Sequence, residues 1–164
     1  MNNLDLDVVF HVNGVAIEEQ NHLTSRFYHA GQWVLQRFIL ESMTVSISVV
    51  DDHTIKRLNA EYLQHHWETD VVSFVFDPAP RINGEVIASW TTAERMSVRA
   101  RWSTSDEMLL YILHGMLHLA GLDDVEPDER LNMRHIEREY LISTAVPGAE
   151  YYLERFDQVA DELE

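Results

Sequence analysis

An apolar helix with both of its ends marked limits this chain's fold more than any other feature. Thr104 and Glu107 stand at capping-box spacing, and Gly121 stands where a left-handed C-terminal cap belongs. Between them, Leu113, Met116, Leu117 and Leu119 read as core residues. His114 and His118 are four residues apart, so both imidazoles sit on one face of that helix. Gly121 lets the chain turn sharply, which brings Asp124 back as a third ligand. Three protein ligands leave a position open for water, the arrangement of catalytic rather than structural zinc. A metal in such a site lowers the pKa of its water toward ~7 and supplies hydroxide at neutral pH. A His-x-x-x-His pair alone also arises in helices that bind nothing. The closing glycine and the acid beyond it argue for the site. Gly115 follows the first histidine where the metalloprotease motif H-E-x-x-H carries its general base, which argues against a peptidase of that type. Asp123, the nearest spare acid, either steadies a ligand histidine or serves as a turn and capping residue.

The rest of the chain reads as strands early and helices late. Val8–Val12 is a short strand and Leu23–Ser42 a helix with Phe27, Ala30, Val34, Leu35 and Phe38 on its apolar stripe. Thr44–Val50 alternates, with Val45, Ile47 and Val49 on one face, and Asp52 N-caps a short helix after it. Asp70–Phe76 reads as a buried strand, DPAPRING as a loop, and Glu85–Ser89 as the last strand. Thr91 and Glu94 open a helix to Arg101. Pro127, with Asp128 and Glu129, opens another that runs to Ser143. Tyr151–Leu163 closes the chain as an amphipathic helix carrying Tyr152, Phe156, Val159 and Leu163 on one face. The sum is a single α+β domain, a sheet of about four strands packed with five or six helices. Residues 1–145 form the domain proper, and 146–164 an acidic amphipathic extension.

Composition narrows the function classes. The chain has 164 residues, 46% of them hydrophobic, which suits one soluble domain. No apolar run reaches the roughly 18 residues of a membrane span. The acidic N-terminus carries no secretory pattern, so the expected location is cytoplasmic. Cysteine is absent, so any metal must use His, Asp or Glu. Twelve basic residues against 28 acidic give a formal net charge of -16, which argues against general nucleic-acid binding but permits a local basic patch. Lys56 is the sole lysine, and arginine suits bidentate phosphate contacts unless it reflects compositional bias. Arg95, Arg99 and Arg101 form either a phosphate-binding face or an ordinary solvated helix face.

The stretch HGMLHLAGLDD at 114–124 resembles the signature of the YbeY family, H-G-x-L-H-L-x-G-x-D-H. LNAEY at 58–62 and TDVVSF at 69–74 resemble that family's L-N-x-x-Y and T-D-V-L-S-F, in the expected order. GEVIAS at 84–89 and Met133 with Glu137 and Leu141 resemble later segments, so the likeness covers roughly Thr44–Leu141. It implies a mixed four-stranded sheet with helices and a metal-dependent, single-strand-specific endoribonuclease. The implied role is maturation of ribosomal RNA, notably the 3′ end of the small-subunit RNA, and ribosome quality control. The implied partners are single-stranded ribosomal RNA and the small ribosomal subunit, with no membrane.

Departures from the family pattern are specific. Asp124 stands for the third metal histidine, completing a His114, His118, Asp124 set for one divalent ion. Zinc is expected, although the harder carboxylate widens the choice toward manganese, iron or nickel. Leu63 replaces an arginine that the resemblance assigns to RNA phosphate, and His65 or His66 either substitutes for it or is a loop residue. Glu68 and Glu85 replace the family's Pro and Asp. Two other readings compete with the nuclease: a ribosome-assembly binding factor with a mainly structural metal, and another metallohydrolase such as a peptidase.

Overall fold

Val45, Ile47 and Val49 all point to one side of strand β2 (Ser42–Val50) and are buried, while Thr44 and Ser46 on the other side are exposed. That alternation is the expected one, and it sets the two-sidedness of the sheet. The computed structural model describes residues 3–62 and 70–156. Strand β1 (Leu4–Phe10) pairs parallel with β2, and β2 pairs parallel with β4 (Arg81–Ser89). Strand β3 (Val71–Asp77) runs antiparallel along the outer edge of β4, giving the order β1-β2-β4-β3. The fold is α+β, a mixed four-stranded sheet with helices.

Helix α1 (Ile17–Arg37) connects the parallel pair β1 and β2, as a parallel connection requires. Leu23, Phe27, Ala30, Val34 and Leu35 bury its stripe against the main core. Val86 and Ala88 of β4 join that core, whereas Ile87 between them turns to the opposite face. There, Ile55 of helix α2 (Asp52–Tyr62) packs with Val50, Val72 and Ile87 in a second, smaller cluster. Helix α3 (Trp90–Ala100) leads to α4 (Thr104–Leu119), which lies on the main-core face against β3, β4 and α1. Helix α5 (Pro127–Ser143) packs on α4, and a 3-10 turn at Ala149–Tyr151 follows. No helix among the described residues is long and apolar enough to cross a membrane.

Several boundaries differ from the sequence reading. Strand β1 begins at Leu4 rather than Val8, because Leu4, Leu6, Val8 and Phe10 alternate inward along the whole LDLDVVF run. Helix α1 starts earlier, at Ile17, and stops at Arg37, where Ile39 takes a positive φ of 53°. Arg81–Gly84, read as loop, belongs to β4, since a ladder to β2 along its whole length, joined by β3 at Asn83 and Gly84, overrides its turn-like composition. Asp51 rather than Asp52 caps α2, accepting from the Thr54 N–H at 2.8 Å. Ser89 and Ser103 cap α3 and α4, one or two residues ahead of the threonines expected. Most of the proposed Tyr151–Leu163 helix lies outside the described residues, as do Leu63, His65, His66 and Glu68. Of its apolar face, Tyr152 is buried and Phe156 packs against the core.

Candidate metal centre

From Asp106 to Leu119, every residue of α4 is buried except His114 and His118. The helix is a core element with one partly open stripe, and the two histidines are that stripe. Gly115 explains why the helix can lie so close to the sheet. A Cβ there would meet Val86 Cγ1 at 2.5 Å and Ser73 Oγ at 3.1 Å. Position 115 therefore faces the sheet and has no room for the glutamate of a H-E-x-x-H site.

The helix ends as its sequence predicts. Gly121, at φ 102°, donates to the His118 carbonyl at 3.0 Å, and Leu122 donates to Leu117 at 3.1 Å. This pair of bonds is a Schellman closure, which reverses the chain and returns Asp124 to the histidines. His114 Nε2 lies 3.0 Å from His118 Nε2 and 3.3 Å from Asp124 Oδ2, and His118 Nε2 lies 3.5 Å from Asp124 Oδ1. Ligand atoms at zinc distances on a tetrahedron are roughly 3.4 Å apart. Among the described residues these three form the one group whose ligand atoms converge within 4.8 Å. The donor set fits a divalent ion in size and in chemistry.

The far nitrogen of each ring is held. His114 Nδ1 bonds the Glu137 carboxylate at 2.8 Å, and His118 Nδ1 bonds the Leu122 carbonyl at 3.0 Å. With Nδ1 of each ring held on the far side, each Nε2 is turned toward Asp124. Glu137, on α5, is buried, and its second oxygen accepts from the Tyr152 hydroxyl. Glu137 was visible in the sequence only through the family resemblance, and Tyr152 only as a member of an apolar face. A lone acid among Met133, Ile136, Tyr140 and Leu141 is the available signal for such a buried carboxylate.

A second buried pair supports this wall. Glu107, fully buried, accepts from Arg155 at 2.9 Å and from the Trp102 indole N–H. Glu107, read from the sequence as a capping-box acid, instead spends its carboxylate on Trp102 and Arg155, and no motif marked Arg155, because the pair is 48 residues apart and meets only in the fold. Asp123 accepts the backbone N–H of Asp124 at 2.8 Å and is exposed, the geometry of a turn residue. Arg95 and Arg99 lie on α3, and Arg95 pairs with Asp52, which also accepts from Ser89 and Thr92.

Burial alone pushes the His114 pKa down, but the bonds to Asp124 and Glu137 outweigh it and lift it from 6.5 to about 10. The bond from His114 is likewise the main reason why the Asp124 carboxyl lies below its ordinary value. His114 therefore holds a proton at neutral pH in the metal-free protein. Its contribution to stability is fully present below 6.5 and is lost as pH rises through about 10. Metal must displace that proton. Loading zinc at pH 7 is expected to release close to one proton per chain from His114, read by calorimetry in two buffers of different ionisation enthalpy. Release of none would show that His114 is already neutral.

Comparisons with known proteins place the chain in a family. The sequence model described as Endoribonuclease YbeY matches residues 12–145, which include the whole His114–Asp124 stretch. Endoribonuclease YbeY of Rhodopirellula baltica is 42% identical over 97 residues, 57% of this chain and 50% of that protein. The one from Salinibacter ruber is 38% identical over 106 residues, 59% of this chain and 68% of that protein. The chain thus spans half the length of the Rhodopirellula protein. The solution structure of TM1509 from Thermotoga maritima shares the fold, with a TM-score of 0.60 over 93% of each chain at 20% identity. On the family match and on these relatives, the chain belongs to the endoribonuclease YbeY family.

Proposed function

We propose that this protein is a metal-dependent endoribonuclease that hydrolyses phosphodiester bonds in single-stranded RNA. Its proposed substrates are ribosomal RNAs, notably the 3′ end of the small-subunit RNA, and its proposed setting is the cytoplasm, including ribosome quality control. The observation that carries the reading is the convergence of His114, His118 and Asp124 at ligand spacing on a partly open surface. His114, His118 and Asp124 would hold a divalent ion, zinc by preference, which would acidify a water and polarise a phosphoryl oxygen.

The chain's own residues do the rest. Glu137 and the Leu122 carbonyl fix the tautomers and angles of the two imidazoles, so no reorganisation is needed when the ligands engage. Asp124 adds negative charge to the ligand set, and Asp123 holds the turn that aims it. The ligand side chains are only 24% to 35% exposed, so a scissile phosphate must reach into a recess. A flexible single strand can do so, whereas a stacked duplex holds its backbone away.

The test combines metal analysis with cleavage of end-labelled RNA. Metal-loaded protein should cut single strands and spare duplexes, and chelation should abolish cutting. Binding should fall steeply with salt, because a -16 chain meets a polyanion only through local cations. Arg99, which is exposed, should contribute more to that slope than Arg95, whose charge is engaged by Asp52. Fully loaded protein that leaves single-stranded RNA intact would sink the nuclease reading and favour the assembly factor with a structural metal.

A further inference from the structure

Beside the candidate metal centre is a cavity of about 220 Å³, whose lining includes Asp70, His114, Asp124 and Glu137 together with Arg130 and Arg134. Three residues of α5 explain the arrangement. Arg130, Arg134 and Glu137 are spaced at i, i+4 and i+7, so they share one helical face. Glu137 touches His114, and the two guanidiniums continue the same face away from it, one and two turns along.

Among the described residues, other groups hold both arginines without neutralising them. Arg134 sits over the Phe156 ring at 3.8 Å, a contact that fixes the guanidinium plane and leaves its N–H edges available. Arg130 makes a long contact to the Val125 carbonyl, 3.4 Å, within the loop that carries Asp124. Among the described residues neither has a carboxylate partner within ion-pair distance. Arg155 lines the same cavity but differs, because fully buried Glu107 takes both arms of its guanidinium. Its charge is already offset, and its role there is to hold the wall.

We propose that Arg130 and Arg134 form the phosphate-binding wall of the cleft, gripping the RNA backbone next to the scissile phosphate. Planar guanidiniums bind phosphate oxygens through paired N–H bonds, and phosphate contacts position a strand without reading its bases. The grip is therefore on the backbone and independent of sequence. This inference rests on the proposed ribonuclease reading and assigns that site its substrate contacts.

The test uses the metal-loaded full chain and single-stranded RNA oligonucleotides of two unrelated sequences, with half-saturation of cleavage followed against salt. The double variant Arg130→Gln/Arg134→Gln should keep its metal content. Its half-saturating RNA concentration should rise roughly tenfold for both sequences. The slope of log affinity against log salt should flatten by about 1.4, two single-strand phosphate contacts. Arg130→Lys/Arg134→Lys retains the charges and should recover most of the slope. A Gln variant with wild-type half-saturation and slope overturns the assignment while leaving the nuclease reading intact. Loss confined to one sequence, or loss of the metal, also overturns it, since the residues would then be reading bases or building the site. If the wild-type protein neither binds nor cuts the oligonucleotides, both readings fall.

Discussion

Asp124→Ala is expected to empty the candidate metal site, whereas Asp123→Ala should keep it loaded. The two acids are neighbours and either could serve by sequence spacing alone, but their geometry separates them. Asp124 places one oxygen 3.3 Å from His114 Nε2 and the other 3.5 Å from His118 Nε2. Asp123 instead accepts the Asp124 N–H and points its charge to solvent. Removing Asp124 takes away a donor and leaves two imidazoles, so affinity should fall by more than the roughly 10- to 100-fold typical of residues that only support a ligand. Removing Asp123 loosens the turn and should cost no more than that range. Asp124→His restores three imidazoles and should hold metal. Metal content after dialysis is the measurement to make first, because activity can fail for many reasons. An empty Asp123→Ala site beside a fully loaded Asp124→Ala site would falsify this ligand set.

Glu137 should have the largest effect of any residue outside the ligand set. Its carboxylate is buried, orients His114 through Nδ1, and is itself held by the Tyr152 hydroxyl. Glu137→Ala leaves that hydroxyl and the His114 Nδ1–H without an acceptor in the core. Zinc affinity is expected to drop roughly 10- to 100-fold, and the metal-free fold to lose ~2–4 kcal/mol. Glu137→Gln separates charge from shape. It still offers an oxygen to Nδ1–H, so affinity should fall less than in the alanine variant. The negative charge that helps to raise the His114 pKa is gone, so fewer protons should leave on zinc loading at pH 7. Tyr152→Phe should lie between Glu137→Gln and wild type. Competition with a zinc chelator of known affinity gives the order. Equal affinity in Glu137→Ala and wild type would mean that His114 is oriented by packing alone.

Helix α4 and its two histidines were legible because everything that defines them is local. Side chains four apart share a face in any α-helix, the Ser103 cap lies three residues from the N–H it accepts, and a glycine at φ 102° closes the end whatever surrounds it. The same locality made the alternation of β2 and the start of α5 at Pro127 readable. The sequence by itself thus determined which face of α4 carries the donors and where the chain turns back. Strand limits were less readable. LDLDVVF alternates from Leu4, yet its two aspartates resemble turn residues until β2 pairs with the whole run. Arg81–Gly84 becomes strand because β2 pairs with all of it and β3 with Asn83 and Gly84.

Tertiary structure alone decided how the donors are held and what faces them. Glu137 reaches His114 across 23 residues, Tyr152 reaches Glu137 across 15, and Arg155 reaches Glu107 across 48. No periodicity relates positions that far apart. Their meeting depends on α5 packing against α4 and on the segment after it folding back onto both, and the apolar contacts of Met133, Ile136 and Tyr140 drive that packing. Buried carboxylates are tolerated there only because each finds a donor as the helices close. A local pattern can therefore name the candidate metal ligands, but the carboxylate that aims one of them and the arginines that line the cavity beside them follow from how the hydrophobic core assembles.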